Sequence, residues 1–250
     1  MRPLIVPFAA RPDIGEERWE QIVPPAWPSF LLHDQVCNAN WHHLEEEFLA
    51  FQFYIIDEAT DEVLGQANTI PFRWDGDPAS LPDGVDGILP ISIRQRADGS
   101  EPNTLCALQA IATEGNRGKG LAHLILDGMR DLGRRSGFGD LVAPVRPTLK
   151  HRYPLTPMKR YAAWTRDDGL PFDPWIRVHA RLNGVILHVC PHSMTVRGTL
   201  AEWETWAGMT FPETGSYIVP GALVPVEIDR EQDVGLYTEP NLWMRHRLEP

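Results

Sequence analysis

Ala110-Ile111-Ala112-Thr113-Glu114-Gly115-Asn116-Arg117-Gly118-Lys119-Gly120-Leu121-Ala122 is the stretch on which the reading of this chain turns. Upstream of it, Thr104 to Ala112 (Thr-Leu-Cys-Ala-Leu-Gln-Ala-Ile-Ala) reads as a buried strand. Downstream, Leu121, Leu124, Ile125, Leu126, Met129 and Leu132 recur at helical spacing as far as Arg135. A strand, a glycine-containing turn and a helix in succession leave N–H groups unpaired at the helix mouth. With the helix dipole they form an anion site. Glycine at positions 115, 118 and 120 lets a phosphate approach the main chain closely. No Lys-Ser or Lys-Thr follows the first glycine at P-loop distance, and the glycine spacing reverses that of the dinucleotide fingerprint. The alternative reading is a tight turn with no ligand.

The flanking sequence supplies a sheet. Leu4 to Ala10 reads as a strand, and Asp13 as the N-cap of a helix through Gln21. Asn40 to Ala50 reads as helical. Phe51 to Asp57 and Val63 to Phe72 form a hairpin about the acidic turn Glu58 to Asp61. Arg73 to Asn103, dense in Pro, Gly and Asp, reads as a long surface loop of the kind that covers a site. Asp140 to Val145 is the next strand, and Pro147 to Pro157 is irregular. Asp173 to Asn183 is a helix that Asn183-Gly184 would cap. Val185 to Cys190 is a strand, Thr199 to Trp206 a short helix, and Tyr217 to Ile228 with Val234 to Met244 a closing pair of strands. Without repeats or a linker, this is one α/β domain over residues 1–250, with an insertion at 73–103 and an extended C-terminal half from 147.

Composition narrows the function. With 43% hydrophobic and 23% charged residues, disorder is excluded as the main state. Cys37, Cys106 and Cys190 stand far apart in no metal or redox spacing, which points to a reducing compartment. A net charge of −11 argues against nucleic acid, whose binding rests on many Lys and Arg contacts, and favours cationic small molecules. No apolar run approaches the roughly 20 residues that span a bilayer. The start, Met1-Arg2-Pro3, then Leu4 to Ala10, superficially resembles a signal peptide, but Pro7 interrupts it, and the expectation is a cytoplasmic protein.

Arg117-Gly118-Lys119-Gly120-Leu121-Ala122 resembles the (Gln/Arg)-x-x-Gly-x-(Gly/Ala) motif of the GNAT acetyltransferase superfamily. The preceding strand, the following helix and the order of the other elements fit that family as well. The resemblance implies a mixed, mostly antiparallel twisted sheet of about six to seven strands flanked by helices, with insertions. It implies acetyl-CoA or another acyl-CoA as co-substrate, and no metal. The pyrophosphate would lie on the amides of Gly118 to His123, that is Gly118, Lys119, Gly120, Leu121, Ala122 and His123, beside Arg117. Ala110, Ile111 and Ala112 would lend backbone groups to the pantetheine arm, and an N–H near Ala112 would polarise the thioester. An amine of a small molecule then attacks directly.

The acid and base are less legible. The motif strand carries no carboxylate, only Gln109, where many family members carry Glu. Tyr153 and His179 are the alternatives for the group that protonates the leaving thiolate. His188-Val189-Cys190-Pro191-His192 could place three zinc-binding side chains on one strand, with packing as the competing reading. His42-His43 beside Glu45-Glu46-Glu47 suits either a cation-attracting rim or a solvated helix face. Two functions follow: a GNAT-like N-acetyltransferase, or a non-catalytic acyl-CoA-binding sensor. Edge strands at the ends of such a sheet also make a homodimer an expectation.

Overall fold

The computed structural model of the chain describes residues 1–14 and 21–248. Nine strands form one sheet: β1 (Pro3–Pro7), β2 (Gln52–Asp57), β3 (Val63–Phe72), β4 (Thr104–Ala112), β5 (Asp140–Val145), β6 (Val185–Gly198), β7 (Gly215–Tyr217), β8 (Val226–Asp229) and β9 (Val234–Arg247). Their order is β1-β2-β3-β4-β5-β9-β8-β7, with β6 also on β9. All pairs are antiparallel except β4 with β5. Among the described residues the helices are α1 (Gln35–Asn40), α2 (His43–Glu46), α3 (Gly84–Ala97), α4 (Leu121–Arg135), α5 (Met158–Ala162), α6 (Pro174–Arg181) and α7 (Leu200–Ala207).

Side-chain alternation along the central strands divides the core between the two faces. Leu141 of β5 packs with Leu105 and with Leu121, Ile125, Leu126 and Met129 of α4. Its neighbour Val142 points the other way, onto Ile88 and Leu89 of α3 with Ile70, Phe72 and Trp243. The apolar stripe read in the sequence over residues 121–135 is thus the face that seats α4 on the sheet.

β9 organises the second half of the sheet. β6 pairs with it on one side between Gly235 and Arg245. On the other side, β5 takes Leu242 to Arg247 and β8 takes Val234 to Leu236. Residues 237–241 therefore have no strand partner on that side.

Several expectations are corrected. Residues 73–103 are not a loop, because α3 occupies fourteen of them. Gly84, Gly87 and Pro90 disguise it, since none favours a helix interior. Burial of Ile88 and Leu89 against the sheet outweighs that local cost. Gly84, at φ +48°, lets the helix start lie against Ser193, where a Cβ would collide. The first strand ends at Pro7, and Phe8–Ala10 forms a 3₁₀ turn. The helix expected at Asn40 to Ala50 is the short α2 and a 3₁₀ turn, Leu49–Phe51. The helix expected from Asp13 to Gln21 falls largely outside the described residues. β6 runs past Pro191 to Gly198, with register shifts at Ile186/His188 and Cys190/Met194 that absorb the proline. The segment Tyr217 to Ile228 is two short strands rather than one.

Candidate active site

β4 and β5 pair only over Thr104–Cys106 and Asp140–Val142. Beyond that point they part, and the edges of Ala107 to Ala112 and of Ala143 to Val145 that face each other carry main-chain groups with no strand partner. Buried backbone of this kind needs a donor or acceptor from elsewhere. On its other side β4 stays paired with β3, but Thr69 lies opposite Ala107 and Asn68 opposite Gln109. Leu108 is therefore an extra residue, a bulge that bends β4 where the strands separate.

A cavity of about 1240 Å³ fills the gap. Ala107 to Ala112, Ala143 to Arg146, and Ala122, Ile125 and Met129 of α4 line one part of it. Trp27, Leu31, Cys37 and Trp41 line another. Of the residues expected to hold a cofactor, Ala110, Ile111, Ala112, Arg117 and Ala122 line the cavity. Gly118 and Gly120 adopt φ of +79° and +86°, with open space where a Cβ would stand. Gly115 has no such φ and sits in a 3₁₀ turn, so its glycine character is not required by the turn. The N–H groups of Gly118, Gly120, Leu121 and Ala122 find no acceptor among the described residues, whereas those of Lys119 and His123 bond within the turn. Leu121 turns its side chain into the core. Lys119 Nζ donates to Asn116 Oδ1 at 3.0 Å, and Arg117 Nη2 reaches the Pro25 carbonyl at 3.4 Å.

The two candidates for acid–base work part company. Tyr153 is 37% exposed, edge-on to Trp164 and beside Tyr161 and Phe172, and is not among the residues lining the cavity. His179, on α6, is 1% exposed and lines it. Its Nδ1 is 2.9 Å from Nε2 of His246. Burial holds the His179 imidazole well below the usual histidine range and pushes His246 down to about 4.

That depression has a measurable sign. Unfolded histidine binds its proton near pH 6.5, whereas folded His246 resists until about pH 4. Its contribution to stability is present above pH 6.5 and is lost as pH falls toward 4. Arg130 and Asp127 also act on this ring, the first lowering and the second raising its proton affinity. Between pH 7 and 5, urea unfolding of the wild type should lose about 2 kcal/mol more than that of His246→Leu. Equal losses in the two proteins would refute the assignment.

Sequence reasoning missed the polar plug at the other end of the cavity. Arg146, at the end of β5, fills the gap beside residues 237–241. Its Nε donates to both carboxylate oxygens of Glu239 at 3.0 and 2.9 Å, and Nη2 to the Gly221 carbonyl at 2.7 Å. Glu239 is fully buried and also accepts from Tyr237 Oη and Asn241 Nδ2. Behind Cys37 and Val85 lie Asp34 and Asp86, which both accept from the Thr195 N–H. Burial, then the charge of Asp34, raises the Asp86 carboxyl well above the usual carboxylate range. Among the described residues, Asp34, Cys37 and Asp86 are the one group close enough to share a metal ion. The His188–His192 segment does not form such a group: Cys190 is buried and His192 is exposed. His43 Nδ1 contacts Glu47, the residue that follows α2, in a partly buried pair, while Glu45 and Glu46 remain outside that contact.

A sheet that opens between two parallel strands, above a glycine turn leading into a helix, is the architecture of a CoA-dependent acyltransferase. No protein-family model matches the chain. It is 31% identical over 268 residues to arginine N-acetyltransferase avaD of Aspergillus versicolor, covering 95% of this chain and 91% of that protein. The loading GNATL domain of CurA from Lyngbya majuscula shares the fold with a TM-score of 0.52 at 13% identity, over 88% of this chain and 92% of that one. The GphF GNAT-like decarboxylase in complex with isobutyryl-CoA does so with a TM-score of 0.52 at 15% identity, over the full length of both chains. The chain belongs to the GNAT superfamily, and it is an N-acetyltransferase of that family. Among the described residues, no helix is long and apolar enough to cross a membrane.

Proposed function

We propose that the protein transfers acetyl from acetyl-CoA to the amine of a small molecule, with arginine as the leading acceptor. The observation that carries this reading is the parting of β4 and β5, whose free edges lead toward the unpaired amides of Gly118, Gly120, Leu121 and Ala122. In this reading those amides hold the pyrophosphate, with Arg117 and Lys119 adding charge. Ala110 to Ala112 hydrogen-bond the pantetheine arm through their backbone, as one strand would another. The partly enclosed cavity and the net charge of −11 suit a cationic small molecule, and the related arginine N-acetyltransferase supports the choice of arginine.

The amine attacks the thioester directly in a ternary complex. Cys37 is the thiol that lines the cavity, and burial, followed by the charge of Asp34, pushes its proton affinity up. A thiol kept protonated is a poor nucleophile, which fits a route without an acyl-enzyme. Bound in one cavity, the two substrates gain from proximity, and in this reading His179, which lines the cavity, handles the proton.

The test is CoA release from acetyl-CoA with arginine and a panel of other amines, the product being located by mass spectrometry. Acetylated arginine is the expected result. Tight acetyl-CoA binding without turnover of any amine would overturn it in favour of a non-catalytic acyl-CoA sensor.

A further inference from the structure

The main chain dictates the tautomers of the His179–His246 pair. His246 Nδ1 lies 3.2 Å from the carbonyl oxygen of Leu182. A carbonyl only accepts, so the His246 proton sits on Nδ1 and its Nε2 is a bare acceptor. That Nε2 faces His179 Nδ1 at 2.9 Å. His179 must therefore carry its proton on Nδ1, and a neutral ring then has none left for Nε2. Both rings are 1% exposed, and burial keeps both neutral. His179 Nε2 has no hydrogen-bond partner among the described residues, and the ring lines the cavity. A lone pair buried without a donor calls for one from a ligand.

The register shows where His246, and with it the pair, stands. His246 is opposite Leu141, on the paired side of the point where Cys106 and Val142 make the last contact between β4 and β5. The pair thus sits at the closed end of the gap, away from the glycine turn. With the pyrophosphate on that turn, the closed end receives the thioester.

We propose that His179 Nε2 carries the proton of the attacking amine to the departing sulfur, and that His246 is the positioning residue that keeps this nitrogen bare. The inference rests on the acetyl-transfer reading above. The substrate ammonium first gives one proton to solvent. The amine nitrogen then bonds to the thioester carbon while the carbonyl electron pair moves to oxygen. The N–H proton of that adduct passes to Nε2, giving an imidazolium whose Nδ1–H still points at His246. The oxygen electron pair re-forms the carbonyl, the C–S bond breaks with its electrons on sulfur, and Nε2 returns the proton there. Amide, CoA thiol and neutral His179 remain. Nitrogen and sulfur are bound to one carbon in the adduct, so a single ring nitrogen can serve both, as histidine does in serine hydrolases.

The test compares His246→Gln, His246→Leu and His179→Ala in steady-state acetylation of arginine, beside imidazole nitrogen NMR of the unliganded wild type. The Gln amide oxygen can accept from His179 Nδ1–H, so that variant should keep kcat within about threefold. His246→Leu and His179→Ala should each lose about 100-fold in kcat, with KM for acetyl-CoA unchanged. The double variant His179→Ala with His246→Leu should be no worse than His179→Ala. NMR should report Nδ1–H tautomers at both rings. Wild-type kcat in His246→Leu, a rise in KM alone, or an Nε2–H tautomer at His179 would each overturn the proposal. If His246→Leu does not fold, the His179→Ala kinetics and the NMR decide. A wild type that turns over no amine would sink the acetyl-transfer reading and the proton transfer with it, leaving the tautomers to be judged by NMR.

Discussion

Gly120→Glu should abolish the thermal stabilisation that acetyl-CoA confers on the wild type. At about 100 times its dissociation constant the ligand adds roughly 2.7 kcal/mol, which for a chain of this size is roughly 5–10 °C in Tm. Gly120 caps α4 at φ +86°, with nothing within 4 Å of a Cβ. Glutamate fits sterically, so it strains the backbone by about 1–2 kcal/mol without disturbing the core. Its carboxylate then occupies the helix mouth that the pyrophosphate needs. Gly115→Ala is the companion variant: with no positive φ and no neighbour near its Cβ, it should keep both stability and the ligand shift. Melting curves with and without acetyl-CoA decide the matter, and a Gly120→Glu protein that retains the full shift would remove the cofactor from this turn.

Arg146→Met should cost about 3–5 kcal/mol in urea unfolding, the largest loss expected for a single side chain at this site. Glu239 is fully buried, and the substitution leaves its charge with only the Tyr237 hydroxyl and the Asn241 amide. The gap beside residues 237–241 would also lose the group that ties it to Gly221. Arg146→Met with Glu239→Leu should recover most of the loss, because the penalty belongs to the unpaired charge rather than to the missing attraction. A single variant within 1 kcal/mol of wild type would mean that water already reaches Glu239.

The limits of the sequence reading follow from the range of the forces involved. β4, β5 and the start of α4 were legible to within a residue, because an apolar run and a helical stripe are local signals that burial reinforces. The glycine turn was legible because Gly118 and Gly120 mark the positive-φ positions it needs. α3 was not, since Gly84, Gly87 and Pro90 speak against a helix that packing then imposes. The polar half of the cavity was out of reach altogether. Arg146 and Glu239 are 93 positions apart, and neither lies in a motif. His179 could be suspected from its place on α6, but its tautomer depends on His246, 67 positions away, and on the carbonyl of Leu182.

The central place of β9 has a consequence for biosynthesis. β5, buried at every position, has β4 on one flank and β9 on the other, and residues 140–145 must wait for residues 242–247 to leave the ribosome. β6 and β8 wait for the same strand. Half of the sheet therefore closes only after about a hundred further residues have been made, and until then β5 is an unmated apolar edge. Pairings so distant in sequence also form slowly. Until β9 is made, the nascent chain exposes in β5 an apolar edge of the kind that chaperones hold and aggregates recruit.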